Sequence, residues 1–318
     1  MLKLLITRNL PESVIEKARS EFDVTYRDSP EVMSYDEMVQ SLQAYDLVLP
    51  TLGDAYSADV FGAVEAPRTK LLANFGVGYN HIDVAAAAKA GVAVSNTPGA
   101  VTDATADIAL MLMLMTSRRA GQGERLVRKG DWDGWHPVQM LGLHMSGKTL
   151  GRVGMGRIGQ ASAQRAHFGF GMAIIYVNRS QKDVSFPAEQ VADLHALAQA
   201  VDILVVAVPG GGETRHMLNA EVLSAMQPHA HLVNIARGDV VNEADLIAAL
   251  QDGAIAGAGL DVYEFEPKVP QALIDMENVT LLPHLGTAAL EVREDMGRMA
   301  VVNLIAFAKG QPLPNAVT

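Results

Sequence analysis

The segment Gly154-Met155-Gly156-Arg157-Ile158-Gly159 restricts the fold of this chain more than any other stretch of its sequence. It reads G-x-G-x-x-G, which alone is weak evidence in a chain with 28 glycines. Its neighbours give it weight. An extended apolar run at 150–153 precedes it, a helical run from Ile158 to about His167 follows, and a second extended run occupies 173–177. Strand, glycine turn, helix and strand form the βαβ unit in which this spacing has a physical use. Gly154 permits the tight turn, Gly156 lets a pyrophosphate approach the backbone, and Gly159 lets helix and strand pack closely. The N–H groups of Arg157 and Ile158 then open a helix toward the phosphates. Arg152 is out of place, because a strand covered on both faces calls for an apolar residue there.

The same alternation runs along most of the chain. Residues 2–6, 46–49, 70–73 and 92–94 read as short buried strands, with helices at 12–20, 35–42 and 82–90 between them. Gly91 follows the last helix where a left-handed C′ residue is wanted. A long helix is expected from 101 to about 128, apolar on every side at 108–115 and so buried in a core or an interface. Further strands follow at 203–208, 231–235, 255–262 and 279–282, then a last helix at 288–308 and a Pro-containing tail at 310–318. Alternating β and α units imply parallel sheets covered on both faces.

At 318 residues the chain exceeds what one core usually organises, roughly 250–300 residues, so two domains are expected. A net charge of −11 argues against nucleic-acid binding. Zero cysteines exclude disulfides, thiolate metal sites and cysteine nucleophiles, and no metal site is expected. The first residues carry no secretion signal, and the longest apolar run falls far short of the ~20 residues of a membrane span. A cytoplasmic protein without membrane contact is the resulting expectation.

The dinucleotide fingerprint calls for an acid about 20 residues on, to bind the adenosine ribose. Here Asn178 stands at that place, 19 residues after Gly159, followed by Arg179 and Ser180. An amide removes the repulsion against a 2′-phosphate, and Arg179 and Ser180 can bond it. NADPH is therefore expected over NADH, with NADH still possible.

Three more strands each deliver a polar residue just past their carboxyl ends: Arg237 after 231–235, Glu266 after 255–262, and His284 after 279–282. Ligands of open α/β sheets bind outside those ends. Taken singly, each is an ordinary loop residue. Together, in register within one βα series that also carries a nucleotide fingerprint, they form a candidate reaction centre.

These residues sit in segments that resemble the D-isomer-specific 2-hydroxyacid dehydrogenase family, most of all its glyoxylate/hydroxypyruvate reductase branch. The carriers are NFGVGYNHID (74–83), SNTPGAVTDATAD (95–107), GMGRIG (154–159), NIARGDVV (234–241), GLDVYEFEP (259–267) and PHLGTA (283–288). The resemblance implies two doubly wound parallel-sheet α/β domains with an interdomain cleft. A flavodoxin-like substrate domain would take 1–98 with 288–318, and a Rossmann cofactor domain 99–287. It also implies roles. Arg237 would bind the substrate carboxylate and polarise its carbonyl, His284 would protonate that oxygen, and Glu266 would orient the imidazole. The N–H groups of Val77 and Gly78 would grip the carboxylate, with Leu52 as a candidate for the side-chain pocket beside Tyr79 and Met140. Thr105, Val208, Pro209, Thr214, Ile235, Ala236, Asp261 and Gly286 would line the cofactor site together with Arg237 and His284. Trp132, Trp135 and Met140 lie in a segment that reaches toward a neighbouring subunit's active site in related reductases, and a homodimer through the 101–128 region is expected. An aromatic of that segment is replaced here by Gln139 or Met140, which leaves the substrate's size open.

The resulting expectation is reduction of a small 2-keto acid to the D-2-hydroxy acid by a hydride from NADPH. A bulkier 2-keto acid such as 2-keto-gluconate or phenylglyoxylate is the nearest alternative. A nucleotide-sensing, corepressor-like binding protein is the alternative from another class.

Overall fold

Two sets of short apolar strands, each interleaved with helices, divide the chain into two units: Met1–Val101 joined by the chain from Ala288 onward, and Thr102–Thr287. The structure, a computed structural model, describes residues 1–317; Thr318, the end of the expected tail, lies outside the described residues.

The first unit contains β1 (Lys3–Ile6), α1 (Glu12–Arg19), β2 (Asp23–Tyr26), α2 (Tyr35–Ala44), β3 (Leu47–Leu49), α3 (Ala58–Gly62), β4 (Leu71–Ala73), α4 (Val84–Lys89) and β5 (Ala93–Ser95). Its strands are all parallel in the order β2-β1-β3-β4-β5, the flavodoxin-like arrangement. Side-chain caps fix the helix starts. Ser34 and Glu37 form a reciprocal capping box on α2, and the Asp83 carboxylate accepts from Ala86 N–H, so α4 starts two residues later than the pattern suggested. Gly91 takes the expected left-handed conformation, φ +71°. Strand β2 was not anticipated: it is an edge strand whose residues are only half-buried or exposed, with no apolar run to mark it.

The second unit runs α5 (Thr102–Ser117), α6 (Ala120–Lys129), β6 (Thr149–Val153), α7 (Arg157–Phe170), β7 (Ala173–Val177), β8 (Glu189–Gln190), α8 (Leu194–Ala200), β9 (Ile203–Val206), α9 (Ala220–Ala225), β10 (His231–Asn234), α10 (Glu243–Gln251), β11 (Gly257–Leu260), α11 (Gln271–Asp275) and β12 (Val279–Leu281). The order β12-β11-β10-β9-β6-β7-β8 reverses direction at β6/β9, which is the Rossmann switch point. Val153, Leu204, Val206, Leu232 and Leu260 pack on one face of this sheet. Leu150, Ile203, Val205 and Val233 pack on the other, with Met113 of α5 and Ala163 of α7. The final helix, α12 (Leu290–Ala308), returns to the first unit and packs on α1 and β4.

One expected element is corrected. The helix from 101 to about 128 is two helices, broken at Arg119, which adopts a left-handed conformation with φ 53°. The cause is tertiary. Leu143 N–H donates to the Ser117 carbonyl, and Gly142 lies so close that a Cβ there would sit 2.2 Å from that oxygen. The carbonyl that would continue the helix is occupied by this returning segment. Within 108–115, Ala109, Leu110, Leu112 and Met113 are buried, and Leu114 is 37% exposed.

Candidate active site

Sheet register sets the site. Val153, Val206, Asn234, Leu260 and Leu281 are successive partners across β6, β9, β10, β11 and β12, so these strands end on one line. The residues just beyond that line are those singled out from sequence: Gly154, Val208, Arg237, Asp261 with Glu266, and His284.

The glycine turn has the shape that phosphate binding needs. Gly154 has φ +94°, and a Cβ there would lie 2.6 Å from the Ala207 carbonyl, so no other residue fits between β6 and β9. A Cβ on Gly159 would lie 2.4 Å from the Gly154 carbonyl, whereas one on Gly156 would meet nothing within 4 Å. The turn is tight inside and open outside. No side chain caps α7, so its first-turn N–H groups, from Arg157 and Ile158 on, face a ligand position.

Past β7, the Asn178 carboxamide is engaged on both sides. Its Oδ1 accepts from Met155 N–H at 3.2 Å, and its Nδ2 donates to the Ser180 carbonyl at 2.8 Å. Arg179 is almost fully exposed and 3.9 Å from the equally exposed Glu213. After β9, Thr214 Oγ1 donates to the Pro209 carbonyl at 2.7 Å, which closes the loop that follows Val208. Ile235 and Ala236 are buried, and Ala236 N–H donates to the Asn234 side chain.

Glu266 joins the other two catalytic candidates. Its Oε2 is 2.9 Å from His284 Nδ1, and its Oε1 accepts from Tyr263 N–H at 3.1 Å. Burial pushes its carboxyl upward, but the His284 hydrogen bond and charge, the Tyr263 N–H and the Arg237 charge outweigh this. Glu266 therefore titrates below its ordinary range and stays a carboxylate. Burial lowers the Arg237 guanidinium, opposed by the charges of Glu266 and Asp239. Asn234 holds the Arg237 carbonyl at 2.9 Å. His284 has φ 55°, and its N–H donates to the Asp261 carbonyl. The buried Asp261 carboxylate accepts from Leu285 N–H at 2.6 Å and Gly286 N–H at 2.8 Å, while Thr105 Oγ1 donates to the Gly286 carbonyl. Burial raises the Asp261 carboxyl. The 284–286 loop is thus tied down from β11 and α5, with Nδ1 of His284 held by a carboxylate. A cation, an anchored imidazole and a carboxylate can bind a keto acid and move a proton.

Val77 and Gly78 belong to the first unit. Asn74, fully buried, donates from Nδ2 to the carbonyls of Gly76 and Gly78, and Asn96 donates to the Val77 carbonyl. With those carbonyls held, the N–H groups of Val77 and Gly78 donate to no protein acceptor among the described residues. Leu52 lies in a loop fixed by Arg8, which donates to its carbonyl, and by the buried Asp54. Asn74, Asn96, Asn234 and Tyr263 were missed as supporting residues. All four stand within motifs already singled out, yet their role is visible only as hydrogen bonds.

Comparisons with known proteins show which family the chain resembles. Residues 110–286 match the family model described as D-isomer specific 2-hydroxyacid dehydrogenase, NAD binding domain. The chain is 43% identical to the glyoxylate reductase of Thermococcus onnurineus over 99% of its length and 95% of that protein's. It is 42% identical to that of Pyrococcus furiosus, with the same two coverages. Among solved structures, the NADPH-dependent glyoxylate/hydroxypyruvate reductase of Sinorhizobium meliloti, in complex with NADP and malonate, superposes with a TM-score of 0.87. It is 36% identical and covers 100% of this chain and 97% of its own. Fold and site thus define an NAD(P)-dependent oxidoreductase. The chain belongs to the D-isomer-specific 2-hydroxyacid dehydrogenase family. No helix among the described residues is long and apolar enough to cross a membrane, and no group of three potential metal ligands occurs among them.

Proposed function

We propose that this chain reduces a small 2-keto acid of the glyoxylate/hydroxypyruvate type to the D-2-hydroxy acid, with NADPH as the preferred hydride donor. The observation that carries the reading is the Glu266–His284 hydrogen bond beside Arg237, on the strand ends that also carry the glycine turn. Arg237 binds the carboxylate and draws electron density from the carbonyl oxygen. His284 delivers a proton from Nε2 to that oxygen, while Glu266 accepts from Nδ1 and stabilises the charged ring until transfer. The paired N–H groups of Val77 and Gly78 offer a further carboxylate cradle. The bound cofactor supplies the hydride. NADPH is favoured because Asn178 puts no carboxylate at the end of β7 and Arg179 is exposed there. Leu52 takes part in the side-chain pocket.

The division of labour follows the two units: the first binds substrate, the second cofactor. A homodimer is supported by the apolar side chains left exposed on α6 and just beyond it, Val127, Trp132, Trp135, Val138 and Leu141. Light scattering on the purified protein tests this.

The activity test is a panel of glyoxylate, hydroxypyruvate, phenylglyoxylate and 2-keto-gluconate, each with NADPH and NADH. The reading expects the highest kcat/KM for the two small acids with NADPH. Binding of NADPH without turnover of any 2-keto acid would overturn it in favour of a sensor.

A further inference from the structure

Arg152 is the most unusual residue in the molecule. It is fully buried near the carboxyl end of β6, and its Nε, Nη1 and Nη2 find no hydrogen-bond partner among the described residues. By the alternation of the strand it shares the face of Leu150, toward α5 and α7. Its tip reaches the start of α7: Nη2 lies 3.6 Å from where a Cβ on Gly159 would be. That is the first turn of a 14-residue helix that holds no acidic residue in that turn and begins with Arg157. Burial lowers the guanidinium to about 9, which still leaves it charged at neutral pH.

Two positive potentials, the guanidinium and the helix N-terminus, therefore lie close together beside the glycine turn. A buried charge without a counter-ion is strongly destabilising, and the described residues provide no anion for it. We propose that Arg152 is a cofactor-binding charge, balanced by the pyrophosphate that the dinucleotide brings to the outer side of the turn. It acts through space, since the side chain is sealed off from solvent. The residue lowers the stability of the cofactor-free protein and returns that energy as affinity.

The inference rests on dinucleotide binding by this unit, and is independent of the 2-keto acid and of the preference between NADPH and NADH. The test uses Arg152→Met, Arg152→Gln and Arg152→Lys in the full chain, with thermal unfolding of the cofactor-free protein and calorimetric titration with NADP+ and NAD+. For Arg152→Met the melting temperature is expected to rise by roughly 4–10 °C. Affinity for both dinucleotides should fall by the same factor, on the order of tenfold to a hundredfold, because they share the pyrophosphate. Arg152→Lys should keep most of the affinity, and Arg152→Gln should lose it as Met does. Wild-type affinity in a folded Met or Gln variant would overturn the proposal, whichever way stability moves. If Arg152→Met does not fold, the Lys and Gln variants carry the same comparison. A wild-type protein that binds neither dinucleotide would instead sink the cofactor reading itself.

Discussion

Gly238 follows Arg237 and packs backbone against backbone on the segment that leads to Glu266. A Cβ at Gly238 would lie 1.8 Å from the Tyr263 carbonyl carbon and 2.3 Å from Glu264 N. No rotamer change relieves a clash with backbone. Restoring an ordinary 3.4 Å contact requires the two loops to part by about 1.6 Å. One loop carries Arg237, and the other carries Glu266, which holds His284 at 2.9 Å. Overpacking of this kind costs about 3 kcal/mol or more, so Gly238→Ala should lower Tm by roughly 6–12 °C. A displacement of ~1 Å at reacting groups costs on the order of a hundredfold, so kcat/KM should fall at least that far. Dinucleotide affinity should fall much less than kcat/KM, because the glycine turn that receives the pyrophosphate is on β6. Thermal unfolding, steady-state kinetics and calorimetric binding read these three quantities. As a control, Gly169→Ala places a Cβ in open space within α7 and should raise stability by up to about 1 kcal/mol. Wild-type kcat/KM and Tm in Gly238→Ala would refute the claim that close backbone packing aligns Arg237 with the Glu266–His284 pair.

Three further outcomes follow from the same geometry. His284→Ala should reduce kcat by ~10²–10⁴ with cofactor affinity nearly intact, whereas Glu266→Gln, which keeps a hydrogen-bonding side chain without the charge, should lose less; equal losses would give Glu266 a larger part than orienting the ring. Asn178→Asp should shift the ratio of kcat/KM from NADPH toward NADH by about tenfold, through repulsion of a 2′-phosphate; an unchanged ratio would remove Asn178 from cofactor selection. His231, buried at the start of β10, is lowered to about 4 by burial. The unfolded chain therefore takes up a proton near pH 6.5 that the folded chain refuses until about pH 4. Stability should fall across that window by about 3 kcal/mol as pH drops, and urea unfolding of His231→Gln should lack that loss.

Sequence alone determined the elements that depend on local pattern. The strands of the Rossmann unit were legible because both faces are covered, so they are continuous apolar runs, and the glycine turn because its spacing has one geometric use. Gly91 was legible because a helix end needs a left-handed residue. Arg237, Glu266 and His284 were legible as polar residues placed just past such strands. Strand β2 was not, because an edge strand with half-exposed residues has no apolar signature. The break at Arg119 was not, because the nearest glycines, Gly121 and Gly123, lie inside the second helix and its cause is a loop, Gly142-Leu143, that returns from later in the chain. The Glu266–His284 distance, the bonds from Asn74 that hold the Gly76 and Gly78 carbonyls, and the burial of Arg152 beside a helix N-terminus belong to the tertiary structure alone. Each depends on residues brought together from different elements, and periodicity along one strand or helix carries no information about that meeting.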